Sequence, residues 1–216
     1  MDLGRFGAVL FDLDGTLIHS TPAVRAAWAT WADAERVDRA ALDRHAGRPA
    51  RDIVAALLPQ DRVADGVARY TAIAERTVDG VVPLPGAVAA LRATAGHNAI
   101  VTSSSRAVVG ARVAAAALPV PPVVVTVDDV RRGKPDPEAY LRGAQLLGVR
   151  PERCLAVEDS STGVRSATEA GCTVVGLVHD GEPAFDTPWV VRDLSRVRFA
   201  GIDGGIAVRL QPEPAR

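Results

Sequence analysis

Five short apolar runs punctuate the chain: GAVLF (residues 7–11), NAIVT (98–102), PVVVT (122–126), CLAVE (154–158) and TVVGL (173–177). Their centres are runs of Val, Ile, Leu and Ala without polar alternation, the pattern of strands buried on both faces. Between them, PGAVAALRATA, SRAVVGARVAAAAL, DPEAYLRGAQLLG and STGVRSATEAG place apolar residues three and four apart and so predict helices, with Ser105 and Asp136 as caps. Such strands alternating with helices predict an α/β fold, a doubly wound, Rossmann-like parallel sheet covered on both faces. Two weaker runs, WVV and IAVRL, are expected to extend one edge, and the tail QPEPAR to fray.

The alternation stops between about residues 18 and 82. TPAVRAAWATWADA, RDIVAALL and DRVADGVARYTAIAERTV all have helical spacing, and no strand is expected among them. The organisation expected is an α/β core of residues 1–17 and 83–216 with an all-helical cap of residues 18–82 inserted into it. Trp28 and Trp31 lie three apart on one helix face and are expected to pack within this insert, with lining of its entrance as the alternative.

Composition narrows the function. The 216 residues are 48% hydrophobic, enough for a sizeable core, and 26 acidic residues against 25 basic give a net charge of -1. That balance gives no basic surface for nucleic acid and no polybasic patch for a membrane. The apolar runs are too short to span a bilayer, and the N-terminus carries no leader-like segment, so a cytoplasmic protein is expected. Cys154 and Cys172 both fall in apolar stretches and are read as small buried hydrophobes in a reducing compartment.

In a parallel sheet the carboxyl ends of the strands meet along one edge, where ligands bind. The first run is followed by Asp12, Leu13, Asp14, Gly15 and Thr16, and the second ends in Thr102 ahead of Ser103, Ser104 and Ser105. A loop after the third carries Lys134 in GKPDP, and the fourth ends in Glu158 followed by Asp159. With Leu13 turned away, Asp12 and Asp14 are expected to face the same side. Carboxylates that close repel unless a cation sits between them. With Asp159 they predict an oxygen cage for Mg²⁺. Thr102 and the Ser103 amide are placed to hold phosphate oxygens at a strand-to-helix turn. Together these parts suit phosphoryl transfer, in which one aspartate attacks phosphorus and the other moves the proton. Each motif alone has a plainer reading: an Asp–Gly turn, a cluster of serine N-caps, or acids opening a helix. Lys134, however, is the chain's single lysine, and the other 24 basic residues are all arginine. A compact ammonium can touch nucleophile and phosphate together where a planar guanidinium cannot.

FDLDGT, VTS, GKPDP and VEDS, in this order and spacing, resemble the four motifs of the haloacid dehalogenase-like phosphatases, and the helical insert after DGT resembles that family's cap. The resemblance implies Asp12 as nucleophile, Asp14 as acid and base, Thr102 as phosphate ligand and Lys134 as the lysine of the third motif. It implies Mg²⁺ held by the Asp12 side chain, the Asp14 carbonyl and Asp159, with Glu158 nearby or acting through water. DGTLIHSTPAVRAAW, PGAVAAL and GKPDPEAYLRGAQLLG are most similar to sugar- and glycerol-phosphate phosphatases of the 2-deoxyglucose-6-phosphate phosphatase type. Phosphoglycolate phosphatases and β-phosphoglucomutases share that core. Where the mutases carry a histidine and a phosphate-binding arginine in the cap, this chain has Val24 and Ala50, so a small phosphorylated metabolite is the expected substrate and hydrolysis the expected outcome. A phosphoglycolate phosphatase, a sugar phosphomutase that passes the phosphoryl group from the phosphoenzyme back to a sugar, and a non-catalytic phosphate-binding protein are the alternatives. Arg48 and Arg51 in the cap, and His19 at its entry, are candidate substrate contacts; a solvated helix start accounts for the arginines equally well.

Overall fold

The computed structural model describes residues 1–44, 49–178 and 187–211. In chain order it runs β1 (Asp2–Phe6), β2 (Ala8–Phe11), β3 (Ile18–His19), α1 (Thr21–Glu35), α2 (Arg39–Asp43), α3 (Ala50–Leu57), α4 (Val63–Arg76) and β4 (Val82–Pro83). It continues with α5 (Ala87–Ala93), β5 (Asn98–Val101), α6 (Arg106–Ala115), β6 (Val123–Val125), α7 (Glu138–Leu146), β7 (Cys154–Glu158) and α8 (Ser161–Glu169). The last elements are β8 (Thr173–Leu177), β9 (Trp189–Val191), β10 (Val197–Ile202) and β11 (Gly205–Leu210).

Six strands form one parallel sheet in the order β6-β5-β2-β7-β8-β9. The three at its centre, AVLF, NAIV and CLAVE, are buried at every position, as continuous apolar runs require. Side-chain alternation divides them between two layers. Val9, Phe11, Ile100, Leu155 and Val157 pack under α5, α6, β10 and β11, while Ala8, Leu10, Ala99, Val101 and Ala156 pack under α7 and α8. Strands are added on one side of β2 as far as β6, and the chain then crosses to β7 on the other, so β2 lies at the switch in winding direction where a cleft opens above the strand ends.

WVV, as β9, extends the edge as expected. IAVRL does not. As β11 it pairs antiparallel with β1 and β10 in a separate three-stranded sheet. Ile206, Val208 and Leu210 are buried while Arg209 is exposed, so this strand has a single apolar face and lies over the core instead of being sandwiched within the parallel sheet.

The insert contains the three expected helices, α1, α3 and α4, together with the short α2. Trp31 is fully buried between α1 and α4 and donates from Nε1 to the Gly66 carbonyl at 2.8 Å. Trp28 packs edge-on against Trp31 and stacks on Tyr70 of α4, with ring centroids 3.8 Å apart. The buried Glu35 carboxylate is matched by Arg62 and Arg69, which ties the end of α1 to the start of α4. The chain enters and leaves the insert through the two-residue ribbon β3–β4, in which Ile18 pairs with Pro83 and His19 with Val82. No described helix is long and apolar enough to cross a membrane. Cys154 and Cys172 are free and buried, and burial pushes their thiols up to about 11 and about 12, so they stay protonated and inert.

Candidate active site

Strand register assembles the centre of the site. Phe11 pairs with Ile100 on one side and Val157 on the other, so the next residue, Asp12, falls between Val101 and Glu158. Lys134 reaches this row from the loop after β6. Its Nζ donates to Asp12 Oδ1 at 2.6 Å, to the Val101 carbonyl at 2.9 Å and to Glu158 Oε1 at 2.5 Å. An ammonium has three N–H bonds, and here each has an acceptor on a different strand. Its loop is braced at both ends. The Glu138 carboxylate accepts from the Arg131 and Arg132 amides, and Ser166 Oγ donates to the Asp136 carbonyl at 2.6 Å. The Lys134–Pro135 peptide is cis.

Glu158 is fully buried and its oxygens are occupied. Oε1 accepts from Lys134 and from the Tyr140 hydroxyl at 2.8 Å, while Oε2 accepts from the Asp159 amide and from Ser160 Oγ at 3.0 Å. It folds back over the first turn of α8, where Ser160 Oγ caps the helix by accepting from the Gly163 amide. A Cβ on Gly163 would lie 1.8 Å from Glu158 Oε1, so only glycine leaves room for this carboxylate. Gly15 is required twice over: its φ of +86° favours glycine, and a Cβ there would lie 1.9 Å from Asp159 Oδ2.

Asp12, Glu158 and Asp159 each offer an oxygen within 4.8 Å of the others. Three carboxylates meet a single ammonium, and the balance shows in their proton affinities. Burial raises the Asp12 carboxyl well above the usual range even though Lys134 pulls against it. Burial and the Glu158 charge push Asp159 up to about 7. Burial alone would lower Lys134, but Asp12 and Glu158 together outweigh it and hold the ammonium charged. An all-oxygen cluster short of positive charge fits a hard divalent cation such as Mg²⁺.

Asp14 parts from Asp12. Leu13 is buried beneath, as expected, but the Asp14 carboxylate turns to a second cation, Arg112 of α6. Nη1 of Arg112 donates to Asp14 Oδ1 at 2.8 Å, and Ser104 Oγ donates to Asp14 Oδ2 at 2.9 Å. Thr102 is buried at the end of β5, and its Oγ1 accepts from the Ser104 amide at 3.2 Å, which leaves the hydroxyl proton free to donate elsewhere. Ser103 lies half-buried beside it. Ser105 occupies the N-cap position of α6 without a side-chain cap bond, and Asp128 accepts from the Arg106 amide at 2.8 Å. Pro137, not Asp136, holds the N-cap position of α7, although Asp136 one residue earlier accepts from the Glu138 amide at 3.0 Å. His19 is exposed on β3 and Arg51 is exposed in the first turn of α3; Arg48 lies outside the described residues.

Reading the sequence missed Arg112, Ser104 and Tyr140. The first is one of 24 arginines on a helix of ordinary amphipathic pattern, and Tyr140 sits at an apolar position of α7, so neither stands out by type or spacing. Ser104 stood in a recognised triplet, but which of three adjacent serines faces the rim depends on the turn.

Residues 6–171 match the family model described as haloacid dehalogenase-like hydrolase. The chain is 44% identical over 191 residues to hexitol phosphatase A of Escherichia coli, covering 85% of this chain and 87% of that protein. It is 35% identical over 212 residues to validoxylamine A 7'-phosphate phosphatase of Streptomyces hygroscopicus, covering 91% and 98%. Among solved structures, a hydrolase from Pseudomonas syringae superposes with a TM-score of 0.73 at 26% identity, over 87% of this chain and 93% of that one.

Proposed function

The chain belongs to the haloacid dehalogenase-like hydrolases, and from that premise we propose that it is a Mg²⁺-dependent phosphatase cleaving a small polyol or sugar phosphate through an aspartyl-phosphate. The observation that carries this reading is Lys134, whose ammonium bridges Asp12 and Glu158 beside Asp159 at the switch in the sheet. Asp12 attacks phosphorus in line with the ester oxygen, whose bond to phosphorus breaks, and Asp14 gives that oxygen its proton. Water then attacks the aspartyl-phosphate, its proton passing to Asp14, and Asp12 is regenerated as inorganic phosphate leaves. Thr102 and the Ser103 amide donate to the phosphoryl oxygens, and Lys134 offsets their charge.

Asp12, Asp159 and the Asp14 carbonyl would hold Mg²⁺. Glu158, its oxygens already taken, would act by orienting Lys134 and the Asp159 backbone. Bound there, the ion neutralises the phosphoryl oxygens against the carboxylates that face them. Residues 18–82 serve as a cap that turns about residues 18–20 and 82–85, admitting substrate and then excluding water, with His19, Arg48 and Arg51 as its candidate contacts.

Phosphate release from a panel of hexitol, sugar and glycerol phosphates and phosphoglycolate, each with and without Mg²⁺, tests the reading. Hexitol and sugar phosphates are expected to rank first by kcat/KM, because the proteins similar to this chain include a hexitol phosphatase. No phosphate from any ester, or isomerised sugar phosphate in its place, overturns it.

The cation site also carries a pH prediction. Without metal, Asp159 binds its proton more tightly folded, near pH 7, than unfolded. It therefore stabilises the metal-free protein most at acid pH, and that contribution is lost as pH rises through 7. Mg²⁺ must displace this proton below pH 7, so its affinity is expected to fall by about tenfold per pH unit there. Calorimetric titration in buffers of differing ionisation enthalpy checks this; a pH-independent affinity with no proton released contradicts it.

A further inference from the structure

We infer that Arg112 is a positioning residue for Asp14, through which helix α6 of the sheet layer, covered there by helix α4 of the insert, fixes the orientation of that carboxylate. The inference rests on the phosphatase reading, with Asp14 as acid and base.

Arg112 lies on the buried side of α6 beside Val108, Val109 and Val113, with only 3% of its side chain exposed. A guanidinium in such a place is costly unless its charge is matched. It is matched by Asp14, and Nη1 also donates to Ser104 Oγ at 3.2 Å while Ser104 donates onward to the other Asp14 oxygen. The carboxylate is thus gripped at both oxygens by one arginine and one serine. Tyr70 of α4 closes the arrangement from the insert. Its phenol neighbours both Arg112 and Asp14, and its ring packs on the cluster of Ala27, Ala74 and Val108, the last of these one turn before Arg112 on α6. Trp28 stacks on its ring and fixes it in turn. The buried Glu35 of the insert shows what a structural pair looks like here: its arginines, Arg62 and Arg69, both lie within the insert. Arg112 instead holds the carboxylate two residues from Asp12.

Leaving-group dependence separates positioning from mere support. An alkoxide leaving from a polyol phosphate needs the Asp14 proton, whereas p-nitrophenolate leaves without one. Because kcat/KM covers only the steps through departure of the leaving group, the later hydrolysis does not enter. Arg112→Met is expected to lower kcat/KM on a hexitol phosphate by roughly 100-fold, the scale of a misplaced general acid. On p-nitrophenyl phosphate the same variant should lose no more than about 5-fold. Arg112→Lys, which keeps the charge but is one bond shorter and does not reach where Nη1 meets both Asp14 and Ser104, is expected to show the same selectivity at about 10-fold and serves if the methionine variant does not fold. An equal loss on both esters, or none, in whichever variant folds overturns the inference. A wild-type protein that hydrolyses neither ester removes the phosphatase reading itself, a result distinct from an unselective variant.

Discussion

Asp12→Asn is expected to abolish turnover, with kcat falling by on the order of 10⁴-fold or more, because the amide has no anionic oxygen with which to form the acyl-phosphate. The fold should survive. Asparagine has nearly the same shape, its carbonyl oxygen can still accept from Lys134, and the ammonium keeps its bonds to Val101 and Glu158. One of the acids crowding the cluster is removed as well, so thermal stability is expected to hold or rise. The decisive measurement is covalent labelling. Wild-type protein mixed with a ³²P-labelled ester and quenched in acid should retain label that hydroxylamine removes, and the variant should retain none. Label on Asp12→Asn, or turnover near the wild-type rate, would take the nucleophile assignment away from this residue.

Lys134→Arg is expected to lower kcat/KM by about 10³-fold, the scale seen when a charge-stabilising donor is lost. The three acceptors around Nζ lie on three strands, at 2.6, 2.9 and 2.5 Å, and converge on a point only 4% exposed. A guanidinium is planar, carries its charge over three nitrogens and cannot direct hydrogens to all three positions without displacing Asp12 or Glu158. The tight site explains why this place holds lysine in a chain that otherwise uses only arginine. Lys134→Met goes further, leaving Asp12 and Glu158 facing each other without a counter-charge. Breaking a buried pair in this way costs about 3–5 kcal/mol, read as a lower denaturation midpoint. Mg²⁺ should restore part of that loss. If Lys134→Arg kept near-normal kcat/KM, the view of this residue as a three-way point charge would be wrong.

The local sequence determined the parts of this protein that burial imposes at every position. Strands β2, β5 and β7 are covered on both faces and therefore read as unbroken apolar runs, and the polar residues that end them, Asp12, Thr102, Glu158 and Asp159, stand out because the apolar run stops there. Lys134 was visible for a different reason, its uniqueness. Strand β1 was not visible, since it has exposed positions and pairs only with β11, some 200 residues away, which leaves no local mark; β10 pairs with β11 in a local hairpin but is mostly exposed or half-buried and so carries no continuous apolar run. The tertiary structure alone decided how the polar side chains turn at the rim. It sent Asp14 to Arg112 and Ser104 instead of toward Asp12, tied Tyr140 to Glu158, and passed the start of α6 from Ser105 to Asp128. A residue's type and spacing state what it can bond; which partner it meets depends on strand register and helix packing, and these follow from contacts between segments far apart in the chain.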